Sequence, residues 1–115
     1  MPLLKLETTV ALSEEKKQAL LVSLSKTVSE TIDKPEQYVM VVVSPAAMLM
    51  SGKPGGAAFV DIRSIGGLND AANRQLAQNI CKLLSESLGV PHDRIYLNFT
   101  DVPAGNWGWN GDTFG

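Results

Sequence analysis

One cysteine and one histidine in 115 residues remove several kinds of chemistry at once. Cys81 alone cannot close an internal disulfide, and together with His92 it cannot complete a structural zinc site of the Cys/His type. His92 lies in a polar Pro-His-Asp turn, so neither a Ser-His-Asp nor a Cys-His arrangement has a base to build on. Positive charge is scarce too: ten Lys+Arg against twelve Asp+Glu give a formal charge of -2 and a pI near 5.3. That leaves no basic field to neutralise a phosphate backbone, and nucleic acid is excluded as an expected partner. No apolar run approaches the roughly 18 to 20 residues needed to span a bilayer. The opening Met1-Pro2-Leu3-Leu4-Lys5-Leu6-Glu7 carries an acid and no small-residue cleavage signal, so it does not read as a signal peptide. A cytoplasmic protein without a membrane partner is the expectation. Gly66-Gly67 is a turn before a helix cap and not a phosphate-binding fingerprint, and no cofactor is expected.

What is present suits one domain over residues 1–115. A 44% hydrophobic, 19% charged chain of this length has room for one core. Leu4, Leu6 and Thr8 alternate with Lys5, Glu7 and Thr9, the period of a strand over about 3–8. Ser13 before Glu14 and Glu15 is a helix cap, and Leu20, Leu24, Val28 and Ile32 recur every four residues, predicting a helix over about 13–31. Asp33-Lys34-Pro35 stops it, because proline has no N–H to extend the ladder. A strand is expected from Tyr38 to Ser44.

The second half repeats the plan. Phe59–Ile65 reads as a strand, and Asn69 caps a helix carrying Leu76, Ile80, Leu84 and Leu88 that Gly89 ends. After Pro91 a strand runs over Arg94–Thr100. An offset of 56, that between Pro35 and Pro91, also pairs Ser13 with Asn69, Leu20 with Leu76, Val28 with Leu84 and Val41 with Leu97 without a gap. The chain therefore reads as two copies of one β-α-β unit, about 2–57 and 58–115. Right-handed crossovers make each unit's strands parallel. The expected fold is α/β (α+β): a four-stranded mixed sheet with two helices on one face. Its other face is bare, while Val39-Met40-Val41-Val42-Val43 is apolar on both sides, as in a doubly covered strand. A homo-oligomer that packs sheets together satisfies both facts. The loop 45–58 is long enough to line a pocket or add a short edge strand. The tail, with Trp107, Trp109 and Phe114, is expected to pack partly on a neighbouring subunit.

Few residues offer reactivity. Cys81 follows core-facing Ile80 and reads as a small buried hydrophobe. Pro2 would become a free secondary amine once Met1 is removed, and an α-amino group, with a reference pKa of roughly 7.7 to 8.0, is the most acidic amine in a protein. Desolvation or a nearby cation lowers it further, toward an unprotonated base at neutral pH. Taken alone, Pro2 reads as a residue merely tolerated at a strand start.

Five stretches decide between the two. Pro2 after Met1, Lys34-Pro35-Glu36-Gln37-Tyr38, Ser64-Ile65-Gly66, Asp93-Arg94-Ile95-Tyr96-Leu97-Asn98 and Gly108-Trp109-Asn110-Gly111-Asp112-Thr113-Phe114 together resemble the macrophage migration inhibitory factor family of the tautomerase superfamily, along the full chain and in order. The resemblance implies a homotrimer and a keto-enol tautomerase, an isomerase of phenylpyruvate-like aromatic α-keto acids. Pro2 would be its general base, and Lys34 would hold the substrate carboxylate and depress the proline pKa. Ser64 and the Ile65 N–H belong to the same carboxylate-binding stretch. Tyr96 and Asn98 would close the pocket from the adjacent subunit, and Tyr38, Trp109 and Phe114 would form aromatic walls. Without the resemblance, Lys34 reads as a helix-end cation, and Tyr96 and Asn98, two apart on one strand face, read as ordinary half-polar surface. A non-catalytic cytokine-like module that binds a protein receptor, with secretion that needs no signal peptide, is the alternative the resemblance also allows. Other superfamily reactions, decarboxylation or dehalogenation, recruit an extra charged residue that is not identifiable here. Three positions depart from the animal members. Ala58 and Asp61 replace a Cys-x-x-Cys pair, so thiol-disulfide activity is not expected. Gly67 stands where they carry lysine, and Trp107 is bulkier than the small apolar residue usual there.

Overall fold

The computed structural model describes residues 1–115. β1 (Pro2–Thr8) leads to α1 (Glu14–Ile32), and after one 3₁₀ turn at Glu36–Tyr38 the chain enters β2 (Met40–Pro45). β3 (Ala58–Ser64), α2 (Asp70–Leu88), a 3₁₀ turn at His92–Arg94 and β4 (Ile95–Asp101) follow. The bounds of β3, α2 and the second 3₁₀ turn are those of β1, α1 and the first one displaced by 56. Local chemistry explains the shared bounds. Ser13 Oγ accepts the Lys16 N–H at 3.2 Å and Asn69 Oδ1 accepts the Ala72 N–H at 2.8 Å, each satisfying a donor that the first helical turn leaves unpaired. At the far ends Asp33 (φ 53°) and Gly89 (φ 70°) take the left-handed conformation and return an N–H to Ser29 and Ser85, the usual way to close a last turn.

The sheet order is β2-β1-β3-β4. β1 pairs β2 in parallel and β3 pairs β4 in parallel, as the two crossovers require, and β1 meets β3 antiparallel. Both helices cover one face. Leu4, Leu6, Val60 and Ile62 point into it and meet Leu20, Leu24, Val28, Leu76, Ile80 and Leu84, all essentially without solvent exposure. At about 1.5–3 kcal/mol for each fully buried aliphatic side chain, this layer holds the fold together. Cys81 is buried at its margin, and burial pushes the thiol pKa up, which makes it a poor nucleophile. No helix is long and apolar enough to cross a membrane.

The register sets three cross-strand rows on the open face. Met40, Leu3, Arg63 and Thr100 form one, Val42, Lys5, Asp61 and Asn98 the next, and Ser44, Glu7, Phe59 and Tyr96 the third. Met40 is 63% exposed and Tyr96 67%. Val41 and Val43 pack against the helix layer, while Met40 and Val42 of the same apolar strand lie on the open face.

Tyr38 is not the first residue of a strand. Pro35 O accepts the Tyr38 N–H at 3.1 Å, and this tight turn delays pairing until Met40. Pro91 O and the Arg94 N–H do the same at 3.0 Å before β4. The loop 46–57 adds no edge strand, only a bridge between Met50 and Lys53 around Ser51 and Gly52, both left-handed. Arg94 clamps that loop, donating to the carbonyls of Gly56, Lys53 and Met50. The tail folds on its own protomer, as a hairpin of β5 (Gly108–Trp109) and β6 (Asp112–Thr113). Its turn, Asn110-Gly111, has both φ values positive, the geometry for which that dipeptide is suited.

Candidate active site

Pro2 is buried at the head of β1, opposite Ser64 of β3. The turn after β3 is braced from three sides. Ser64 Oγ donates to Gly66 O at 2.7 Å, Asp101 Oδ1 accepts the Gly66 N–H at 3.0 Å, and the Val102 N–H donates to Ser64 O at 2.9 Å. The Ile65 N–H is thereby aimed at the start of β1, where it donates to Met1 O at 3.4 Å.

Lys34 follows the α1 cap, and its backbone is fixed by an N–H bond to Ser29 O and by Ser29 Oγ donating to Lys34 O at 2.6 Å. Its ammonium donates to Ile65 O at 3.3 Å. The stem crosses the Gly66-Gly67 turn closely: a Cβ on Gly67 would lie 3.1 Å from Lys34 Cε, and the Gly67 φ is 81°. A side chain at 67 would press on the lysine stem and sit on a left-handed backbone. The amino terminus is partly buried and close enough to feel the Lys34 charge. Burial first, and that charge second, lower its pKa below the ordinary α-amino value, since both disfavour a second cation.

Beside Pro2 lies a pocket of about 440 Å³ lined by Met1, Pro2, Leu3, Gln37–Met40 and Trp107–Trp109. Its aromatic wall is preassembled. Trp109 meets Tyr38 edge-on at 6.2 Å and stacks on Phe114 at 5.8 Å with 11° between the planes. Such pairs fix ring positions at little cost in side-chain freedom. A larger cavity, about 580 Å³, lies at the opposite ends of β1 and β2. Its one cation, Lys17, is paired with Glu14 at 3.3 Å and it contains no base, so the smaller pocket is where chemistry is available.

Within one protomer the structure brings together Pro2, Lys34, Ser64, Ile65, Tyr38, Trp109 and Phe114. Tyr96 and Asn98 are not among them. They project from the open face of β4, two strands from β1, in the rows of Glu7 and Lys5. Leu3, Gln37, Val39, Met40 and Trp107 line the pocket without having been singled out as binding residues. Gln37, Val39 and Met40 flank Tyr38 in the chain, and that adjacency was the available signal.

Paired β-α-β units with a buried proline heading the first strand define a protein of tautomerase-superfamily fold. The family model described as "Macrophage migration inhibitory factor (MIF)" matches residues 1–115, and the chain belongs to that family. It is 37% identical over 115 residues to the macrophage migration inhibitory factor of Meriones unguiculatus, covering 99% of each chain. Among solved structures it is similar to the macrophage migration inhibitory factor-like protein of Entamoeba histolytica (34% identity, TM-score 0.94, 98% of each chain). The homologue from Prochlorococcus marinus is comparably similar (37% identity, TM-score 0.93, 98% of this chain and 99% of that one).

Proposed function

We propose that the protein is a keto-enol tautomerase acting on phenylpyruvate-like aromatic α-keto acids, with the amine of Pro2 as general base. The observation that carries this reading is the setting of Pro2: buried at the head of β1 and beside the aromatic-walled pocket, where burial and the Lys34 charge lower the pKa of the Met1 amine that precedes it. Removal of Met1 would place the amine one residue deeper, on a buried proline. It would also release the Ile65 N–H, whose acceptor is the Met1 carbonyl, for a substrate carboxylate oxygen.

The roles follow from this geometry. Lys34 and the Ile65 N–H, beside Ser64, hold the carboxylate, and Tyr38 and Trp109, backed by Phe114, flank the ring. Pro2 removes a proton from the carbon next to the ketone. The electron pair left behind becomes the enol double bond, and the protonated amine delivers its proton to the oxygen. A base whose pKa lies near the working pH serves both transfers.

The site is completed by a neighbour in a homotrimer. Tyr96 and Asn98 are too far along the sheet to reach their own Pro2, whereas they are well exposed toward a copy packed on the open face. β2 and β4 are also unpaired edges, which proteins ordinarily cover. Light scattering is expected to give three times the 12.3 kDa chain mass, and a stable species of 12.3 kDa would contradict the trimer.

The tautomerase reading is tested with protein whose intact mass shows Met1 removed. Such protein is expected to catalyse phenylpyruvate tautomerisation. A trimer with no turnover would leave the second reading, a cytokine-like module for a protein receptor, which the names of the relatives favour.

A further inference from the structure

Trp107 stands where two cavities meet. One is the pocket beside Pro2. The other, about 260 Å³, is lined by Leu3, Arg63, Val102, Asn106, Trp107 and Gly108. Leu3, Trp107 and Gly108 belong to both walls. Gly108 has no side chain and Leu3 is held in the β1 ladder between Met40 and Arg63, so the indole is the bulk of the partition. It is also fixed at its backbone. The Trp107 N–H donates to Ala104 O at 3.2 Å, and Trp107 O accepts the Phe114 N–H at 3.2 Å. One bond ties it to the 3₁₀ turn Ala104–Asn106 and the other to the residue just after β6. These bonds hold the backbone that carries the half-buried ring.

We propose that Trp107 is a specificity-determining residue of the Pro2 pocket. By closing the pocket on the Arg63 side it favours an α-keto acid with a single small ring over one with a fused bicyclic ring. This rests on the tautomerase reading. A fused bicyclic ring reaches further from the carboxylate than a single ring, toward the wall that Trp107 forms. A small side chain at 107 opens the two cavities toward each other, with Val102 and Asn106 on the far wall. Arg63 does not compete for the added ring, since its Nε and Nη2 are engaged by Asp61 Oδ2 at 3.3 and 3.0 Å.

The test is kcat/KM for phenylpyruvate and for indole-3-pyruvate in the wild-type protein, Trp107→Val and Trp107→Phe. The preference for phenylpyruvate is expected to fall by about tenfold or more in Trp107→Val, a change of the size a few buried carbons produce in a hydrophobic pocket. The shift should come chiefly through a lower KM for the larger substrate. Trp107→Phe, which keeps an aromatic in the tail, is expected to fall between. A general loss of packing would lower both rates together and leave their ratio alone. An unchanged ratio in both variants overturns the proposal while the tautomerase reading stands. No turnover of either substrate by the wild-type protein overturns both.

Discussion

Replacing Pro2 by Gly is expected to lower kcat/KM for phenylpyruvate tautomerisation by about 100- to 10,000-fold, the range that general base catalysis contributes. The variant still ends in an amine, but a flexible primary one, so both its basicity and its aim at the substrate carbon relax. Proline has only the first position of β1 to hold, and the core residues Leu4 and Leu6 behind it are untouched. The trimer should therefore survive by light scattering. No other group in the chain can take over. His92 lies exposed in a 3₁₀ turn, the Cys81 thiol is buried with a raised pKa, and Asp61 is committed to Arg63 at 3.0 Å. A loss of less than about tenfold would exclude Pro2 as the base.

Lys34→Ala is expected to act in two separable ways. The substrate carboxylate loses a charge-assisted hydrogen bond, worth about 1.5–3 kcal/mol, so KM should rise by roughly 10- to 150-fold. The pH profile should also move. Burial and the Lys34 charge both lower the pKa of the Met1 amine, the same two causes act on the Pro2 amine once Met1 is removed, and the base is active only when neutral, above its pKa. Removing the lysine leaves burial alone, so the pKa rises and the neutral form appears only at higher pH. The ascending limb of kcat/KM, which reports the free enzyme, should shift to the alkaline side. A raised KM with an unmoved limb would mean that Lys34 binds substrate without tuning the base.

The pattern of caps and stops made most of the fold legible in the chain. Ser13 and Asn69, Leu20 and Leu76, Pro35 and Pro91 are local signals, and each specifies its element without help from distant residues. The start of β2 was less legible, because an unbroken Val-rich run has no period that marks where pairing begins. Only the carbonyl of Pro35, turned back on Tyr38, decides it. The Asn110-Gly111 turn is a strong local signal, but with two residues on either side it lacks the alternation that identifies a hairpin. Within one protomer the hairpin sets Trp109 on Tyr38 and Phe114.

The candidate site divides in the same way. Pro2, Lys34 and Ile65 sit at element ends that the sequence marks, and they converge because β1 and β3 pair in the register that sets Pro2 against Ser64. The pocket wall at Trp107 depends on the tail returning to the head of β1, a contact spanning nearly the whole chain that no periodicity encodes. Placing Tyr96 and Asn98 requires a second copy, so the role proposed for them rests on the resemblance and on the assembly proposed above.

The proposed mechanism depends on a free amine at Pro2, and the most direct measurement is the tautomerisation rate of protein carrying one additional alanine between Met1 and Pro2. That residue converts the Pro2 amine into an amide, which cannot accept the proton, and it places an extra carbonyl where the Ile65 N–H must meet the substrate. The rate is expected to fall to the uncatalysed background with the trimer intact, and a rate equal to that of the Pro2-terminated protein would contradict the mechanism.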